Sequence, residues 1–477
     1  MGYMNTPVGD RGKMRMFGRM ITSTLIVTFQ CAVLVAVVNA QDQAGRPNIL
    51  VIVADDLGYA DLGFQGGTDV PTPNIDSIAA GGVRFTNGYV SGPYCSPTRA
   101  GLLTGRYQQR FGHEFNPGGE GTGASGIGLP LSEATIANRF KEAGYVTGLV
   151  GKWHLGAGPK HQPQQRGFDE FFGFLGGQHT YFDKQEAAVL RGTTKVSEPE
   201  YLTDAFGREA VSFIERHRKK PFLLYLAFNA VHTPMEANND RLTRFASIEK
   251  QGRRTYAAML SAMDDAVGKV LRSLQETKLD QKTLIFFFSD NGGPTMQGTT
   301  VNSSSNVPLR GSKRTTLEGG VRVPFVIHWK GQIPPGTVYH NPVIQLDVLP
   351  TALAAAGIEI KPEWKLDGVN LLPHIKGQVS GVPHDALYWR LGEQNAVRQG
   401  DWKLVQYDLN ADSVPTRGVS VPRLYNLKDD IGEANDLAEK HPEKARELRT
   451  LWQAWSKELA EPLWGGPQKR RQVPANK

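Results

Sequence analysis

Three carboxylates and an amide stand in two short groups, Asp55-Asp56 and Asp290-Asn291, each directly after an apolar run. All four offer hard oxygen donors, a set that suits calcium or magnesium far better than zinc. A lone Asp-Asp pair also serves as a helix cap or a turn; two such groups at the ends of buried strands point instead to a metal site. Lys152 and His154 close a third apolar run, and His232 closes a fourth. Cys95, in Tyr94-Cys95-Ser96-Pro97-Thr98-Arg99, falls just ahead of a predicted helix, where amide donors and the helix dipole favour negative charge. Such a place would activate a nucleophile. Arg99 and Arg106 add the cations that an anionic substrate or intermediate needs.

Four strands must carry these groups. The runs from Asn48, Gly148, Pro221 and Leu284 are continuously apolar and rich in Val, Ile and Phe, as strands buried on both faces are. Helical patterns lie between them, at 73–80, 132–143, 203–217 and 256–274. The alternation predicts an α/β fold with a large, mostly parallel central sheet flanked by helices. Ligands bind beyond the carboxyl ends of such strands, so the four polar ends converge on one site. After residue 376 the pattern changes to short strands at 386–390, 395–398, 402–407 and 423–427 and a helix at 442–459. This predicts a smaller C-terminal antiparallel sheet with one helix. The expected organisation is a targeting segment (1–40), a catalytic α/β domain (41–376), a small α+β subdomain (377–465) and a flexible basic tail (466–477).

The chain has 477 residues, 40% hydrophobic and 21% charged, which excludes a disordered or collagen-like protein. Of its formal charge of +7, three units lie in the first forty residues, leaving a balance too mild for a nucleic-acid partner. Those forty residues read as a signal peptide: basic residues through Arg19, an apolar run from Met20 to Val38, and small residues before a cleavage point after Ala40. Signal peptidase is therefore an expected partner, and the mature protein is expected in the periplasm or secreted. The other reading of Met20 to Val38 is a retained membrane anchor. The only cysteines are Cys31 and Cys95, and cleavage removes the first. An unpaired thiol in an oxidising compartment is buried and inert, paired with another chain, or chemically special.

Cys95-Ser-Pro-Thr-Arg99 followed by Leu103-Thr-Gly-Arg106 resembles the signature of type I sulfatases, Cys-x-Pro/Ala-Ser/Thr-Arg. Further motifs follow in family order: Asp55-Asp56, Gly151-Lys152-Trp-His154-Leu-Gly156, His232-Thr-Pro234, Ser289-Asp290-Asn291-Gly-Gly293 and Gly311-Ser-Lys313 through Pro324. The resemblance implies the alkaline-phosphatase-like fold and a cysteine that a formylglycine-generating maturation enzyme converts before folding. It implies one Ca²⁺ held by Asp55, Asp56, Asp290, Asn291 and residue 95. Arg99 would steady the formylglycine (3-oxoalanine), and Lys152 and Lys313 would bind sulfate oxygens. His232, helped by Lys313, would protonate the leaving alcohol, and His154 would take the proton whose loss expels sulfate from the sulfated residue 95.

The family pattern runs out at the rim, where loops would recognise substrate. His113, His161 and His179 lie in loops there, and His179, the segment from Thr300 to Asn306, Trp389 and Arg390 are candidate substrate contacts. The expected substrate is a sulfated carbohydrate or another sulfate monoester, with aryl sulfates as surrogates. Two other readings remain open at this point: a phosphonate or phosphate ester hydrolase on the same architecture, and an inactive sulfated-glycan-binding protein.

Overall fold

The computed structural model describes residues 1–4, 45–117, 127–182, 189–412 and 418–465. Apart from its first four residues, the expected signal peptide lies outside them, as does the expected basic tail. No helix among the described residues is long and apolar enough to cross a membrane. From Pro47 onward the chain forms one compact unit.

In chain order the strands of the large sheet are β1 (Asn48–Ala54), β2 (Val83–Phe85), then, after β3 (Gly88–Tyr89) of a separate small ribbon, β4 (Val146–Lys152), β5 (Glu170–Phe174), β6 (Val189–Arg191), β7 (Thr194–Val196), β8 (Phe222–Ala227), β9 (Thr283–Ser289), β10 (Phe325–His328) and β11 (Thr337–Tyr339). Their spatial order is β11-β2-β10-β9-β1-β8-β4-β5-β6-β7. The five central strands, β9 to β5, are parallel, and β10, β6 and their outer neighbours add antiparallel pairings. β1, β8 and β9 are buried along their whole length, which is why they read as unbroken apolar runs.

Helices cover both faces. On one, Leu202–His217 packs on Gln251–Glu276, whose Tyr256, Met259, Met263, Val267, Val270 and Leu274 fall on one helical stripe and enter the core. The other face is covered by Cys95–Thr104, Ile136–Glu142 and Val348–Ala355. The helix expected from Ser132 begins only at Ile136. Thr135 is its cap, accepting from Asn138 N while the Asn138 side chain accepts from Thr135 N, so the polar residues before it stay in a turn.

After β12 (Val343–Ile344), which pairs with β3, come β13 (Leu387–Leu391), β14 (Gln394–Gln399), β15 (Trp402–Gln406) and β16 (Arg423–Asn426). These four form an antiparallel meander, with the helix Pro442–Ser456 burying Ala445, Leu448 and Trp455. A buried ionic cluster joins this sheet to the rest of the unit. Lys403 of β15 is fully enclosed, its Nζ 2.8 Å from Glu318 and 2.9 Å from Glu433. Arg322 lies 3.3 Å from Glu318, and Tyr89 donates to the same carboxylate at 2.6 Å.

Candidate active site

Strand register gathers the polar groups. Ala54 of β1 lies opposite Ser289 of β9, so the residues that follow, Asp55 and Asp290, leave the sheet side by side. Val53 and Gly151 both lie opposite Ala227 of β8, which brings Lys152 to the same edge. Gly151 takes φ +115°, a conformation open to glycine, immediately before that lysine. The chain after β8 returns to β1: Asp55 N donates to Ala230 O at 2.9 Å and Val231 N to Asp55 O at 2.8 Å, delivering His232.

At the centre, ligand atoms of Asp55, Asp56, Cys95 and His232 all lie within 4.8 Å of one another. Cys95 opens its helix, 1% exposed, with Sγ 3.7 Å from Asp55 Oδ1. Asp290 Oδ1 accepts from Asp56 N at 3.3 Å, and Asn291 Nδ2 donates to Asp56 Oδ1 at 2.7 Å. Asn291 Oδ1 is buried with no hydrogen-bond partner among the described residues. Three cations balance the carboxylates: Lys152 Nζ is 2.5 Å from Asp55, Lys313 Nζ 2.7 Å from Asp56, and Arg99 Nη2 2.8 Å from Asp290. Three enclosed carboxylates and an orphaned amide oxygen fit a hard divalent cation.

The electrostatics follow from this crowding. Burial opposes ionisation of Asp56, yet Lys313 and His232 overrule it and hold the carboxyl well below its usual range. Burial, then the charge of Asp55, pushes Asp290 up to about 6 despite Arg99. Burial pulls His232 down to about 4 against the attraction of Asp56, and holds His154 well below its ordinary value with help from Lys152 and Arg99. The Cys95 thiol is pushed up to about 12 by burial, although Lys152 and Lys313 oppose the shift. The helix terminus therefore does not make an activated thiolate, contrary to the expectation from its position: enclosure beside carboxylates outweighs the dipole.

His154 is set by its backbone. It takes φ +59°, and its carbonyl accepts from Ser96 Oγ at 2.6 Å, while the same hydroxyl meets His113 Nε2 at 2.6 Å. Gly177 lies so close to the imidazole that a Cβ there would sit 2.5 Å from Nε2. His113 is thus a buried support, and His161 is buried with its carbonyl accepting from Trp153 Nε1.

A cleft of about 420 Å³ opens over Cys95, His154, His232 and Lys313. Its mouth also carries Tyr94, Gln178, Thr300 and Arg314, of which only Thr300 was among the sequence candidates. Thr300 Oγ1 donates to Asp56 Oδ2 at 3.0 Å, so its hydroxyl serves the centre. Asn302 and Asn306 are buried, tying Asp56 O, Val231 O and Gly293 together. His179 does not line the cleft: its ring packs 5.0 Å from that of Phe174, and Nδ1 meets Thr180 O.

Three expectations are corrected. Arg390 does not line the cleft; it lies 2.6 Å from Glu114 and donates to Ala460 O. Trp389 is fully buried, its indole N–H donating to Val90 O. Arg106 pairs with Glu133 at 2.7 Å beyond the far end of the cysteine helix, about 15 Å along the axis from Cys95. No sequence signal separates Arg390 from Arg314; only tertiary contacts do.

A family model described as Sulfatase matches residues 47–358, and one described as N-sulphoglucosamine sulphohydrolase, C-terminal, matches 311–458. Arylsulfatase A of Bos taurus is 35% identical over 449 residues, covering 85% of this chain and 86% of its own. N-acetylgalactosamine-6-sulfatase of Canis lupus familiaris is 36% identical over 384 residues, 75% of this chain and 71% of the relative. Among solved structures, Ps i-CgsB in complex with k-i-k-neocarrahexaose superposes with a TM-score of 0.82 at 36% identity, covering 89% of this chain and 95% of that one. The chain belongs to the sulfatase family. It is a hydrolase of sulfuric esters built on the alkaline-phosphatase-like α/β fold.

Proposed function

We propose that this protein is an exported, calcium-dependent sulfatase that removes sulfate from sulfated carbohydrates, with residue 95 acting as formylglycine. The observation that carries this reading is the enclosed Cys95 beside three carboxylates and three cations, at the floor of a polar cleft. A buried thiol pushed up to about 12 is a poor nucleophile, and conversion to an aldehyde hydrate would replace it with a hydroxyl nucleophile. Support for a carbohydrate substrate comes from the N-acetylgalactosamine-6-sulfatase relatives and the neocarrahexaose complex of a similar structure. The leader-like residues 1–40 support export.

Asp55, Asp56, Asp290 and Asn291 would hold the calcium, with residue 95 beside them. Bound there, the ion would neutralise sulfate charge and favour an ionised hydroxyl on residue 95. Lys152 and Lys313, enclosed beside Asp55 and Asp56, hold the sulfate oxygens for in-line attack. His232 carries its Nδ1 proton to Thr233 O at 2.7 Å and so aims Nε2 at the centre. Lys313 Nζ, held charged by Asp56, supplies the proton that the pair returns to the leaving alcohol, with His232 Nε2 accepting it and passing it on. His154 is kept neutral by burial and by Lys152, so it is fit to accept a proton from the side chain of residue 95.

The test is the mass of the peptide carrying residue 95 from protein made in its native host, joined to turnover of aryl sulfate, aryl phosphate and sulfated oligosaccharides. An aldehyde or its hydrate, with sulfate preferred, is the expected result. An unmodified thiol in active protein, or a large preference for phosphate, overturns the reading.

A further inference from the structure

Resting on the carbohydrate-sulfatase reading, we propose that Arg314 forms a second anion subsite at the cleft mouth, recognising a sulfate ester or carboxylate on the sugar beside the one that is desulfated. Lys313 and Thr315 are buried, whereas Arg314 between them is exposed. Its backbone has φ +74°, a conformation an L residue holds only where its surroundings impose it. They do so from both sides. Arg314 N donates to Pro93 O at 2.7 Å, and Arg314 O accepts from Gln394 Nε2 at 2.9 Å. Gln394 is itself held, its Oε1 accepting from Asp408 N at 3.0 Å and Thr316 N at 3.3 Å. The small sheet thus fixes a turn that sends Lys313 into the centre and Arg314 into the mouth.

The guanidinium lies 5.9 Å from the centre of the Tyr94 ring, and Nη1 donates to Gly298 O at 3.2 Å. Among the described residues Arg314 has no carboxylate partner, and none of those that line the cleft is an Asp or Glu. Lys313 Nζ lies 5.7 Å from the same ring, so the two charged ends are at most about 12 Å apart. That is a span neighbouring sugars can bridge. The inner cation is committed to the reacting sulfate, and the outer one presents a fork of N–H donors that matches a sulfate or carboxylate oxygen pair.

The experiment measures kcat/KM for three disaccharides that share one cleavable sulfate: one with a neutral neighbour, one with a sulfated neighbour and one with a uronate neighbour. Wild-type enzyme should prefer one or both dianionic compounds over the neutral-neighbour compound at least tenfold, mainly through KM. Arg314→Ala should reduce that preference about tenfold, and Arg314→Lys should restore part of it. The two dianionic arms show which anion is read. No preference in the wild type, or an equal loss on all three compounds in Arg314→Ala, overturns the subsite while leaving the carbohydrate reading intact. Turnover of an aryl sulfate without any disaccharide turnover removes the carbohydrate reading and the subsite together.

Discussion

Replacing Lys403 by methionine keeps the unbranched apolar stem of the side chain, one atom shorter, and deletes the charge that Glu318 and Glu433 share. Lys403 is 0% exposed, so water cannot substitute for it. Breaking one partner from a buried ionic cluster costs about 3–5 kcal/mol. The loss should depend on pH in a definite direction. Burial pushes Glu433 up to about 7, with Glu318 adding to the shift against Lys403, while Lys403 and Arg322 hold Glu318 down at about 2 despite its burial. A carboxyl raised in the folded state contributes stability that is fully present below its ordinary value of 4.5 and is lost as pH rises through about 7. Without Lys403 the folded value climbs further, so above pH 7 the variant retains a proton that the wild type has released. The destabilisation should therefore grow by about 1.4 kcal/mol per pH unit above that point. Urea denaturation followed by tryptophan fluorescence at pH 6 and pH 8, for both proteins, measures it. A loss below about 1 kcal/mol, or one equal at the two pH values, would refute the reasoning from a buried, charge-balanced cluster.

Gly177→Ala should lower kcat on an aryl sulfate about 10–100-fold with little change in stability, because the added methyl displaces the His154 ring; steady-state kinetics beside a thermal melt will check this. Thr300→Val should lower activity roughly tenfold by removing the hydroxyl between Asp56 and Lys313, and an unchanged kcat would show that this bond does not order the centre. Arg390→Gln should leave KM for every substrate unchanged while lowering the urea midpoint, since Arg390 holds Glu114 rather than ligand. Extended treatment with a calcium chelator should abolish turnover and lower the melting temperature, and added Ca²⁺ should restore both.

The central strands and the groups at their ends are legible in the sequence because strands buried on both faces leave continuous apolar runs, and because β1 and β9 end immediately before Asp55 and Asp290. Asp55, Asp56, Cys95, Lys152, His154, His232 and Lys313 were all legible by this route or by motif. The rim was not. Arg314 and Arg390 are both arginines in polar stretches, and what separates them is Gln394 holding one backbone and Glu114 engaging the other side chain. Arg106 shares a segment with Cys95, but ten helical residues carry it away from the centre. Gly177 and Gln178 become visible only once the loop after β5 folds back onto His154. Ser132 failed as a helix start because Thr135 and Asn138 form a reciprocal cap, which outcompetes it.

The contacts that enclose Cys95 join distant parts of the chain: Asp55 to Lys152 across 97 residues, Asp56 to Asn291 across 235, and Asp56 to Lys313 across 257. Pairings of such separation form slowly, and the last of them cannot begin until residue 313 has been synthesised. At roughly 5–20 residues per second, synthesis from residue 95 to residue 313 takes about 10–45 s. During that interval the cysteine is an open thiol on a growing chain; afterwards it is enclosed at the floor of the cleft, 1% exposed. Under the proposed formylglycine reading, the topology thus sets the time within which residue 95 can be converted. On that reading, chains made faster than a modifying enzyme can visit them would fold around the bare thiol, and specific activity should fall as the rate of expression outpaces that enzyme.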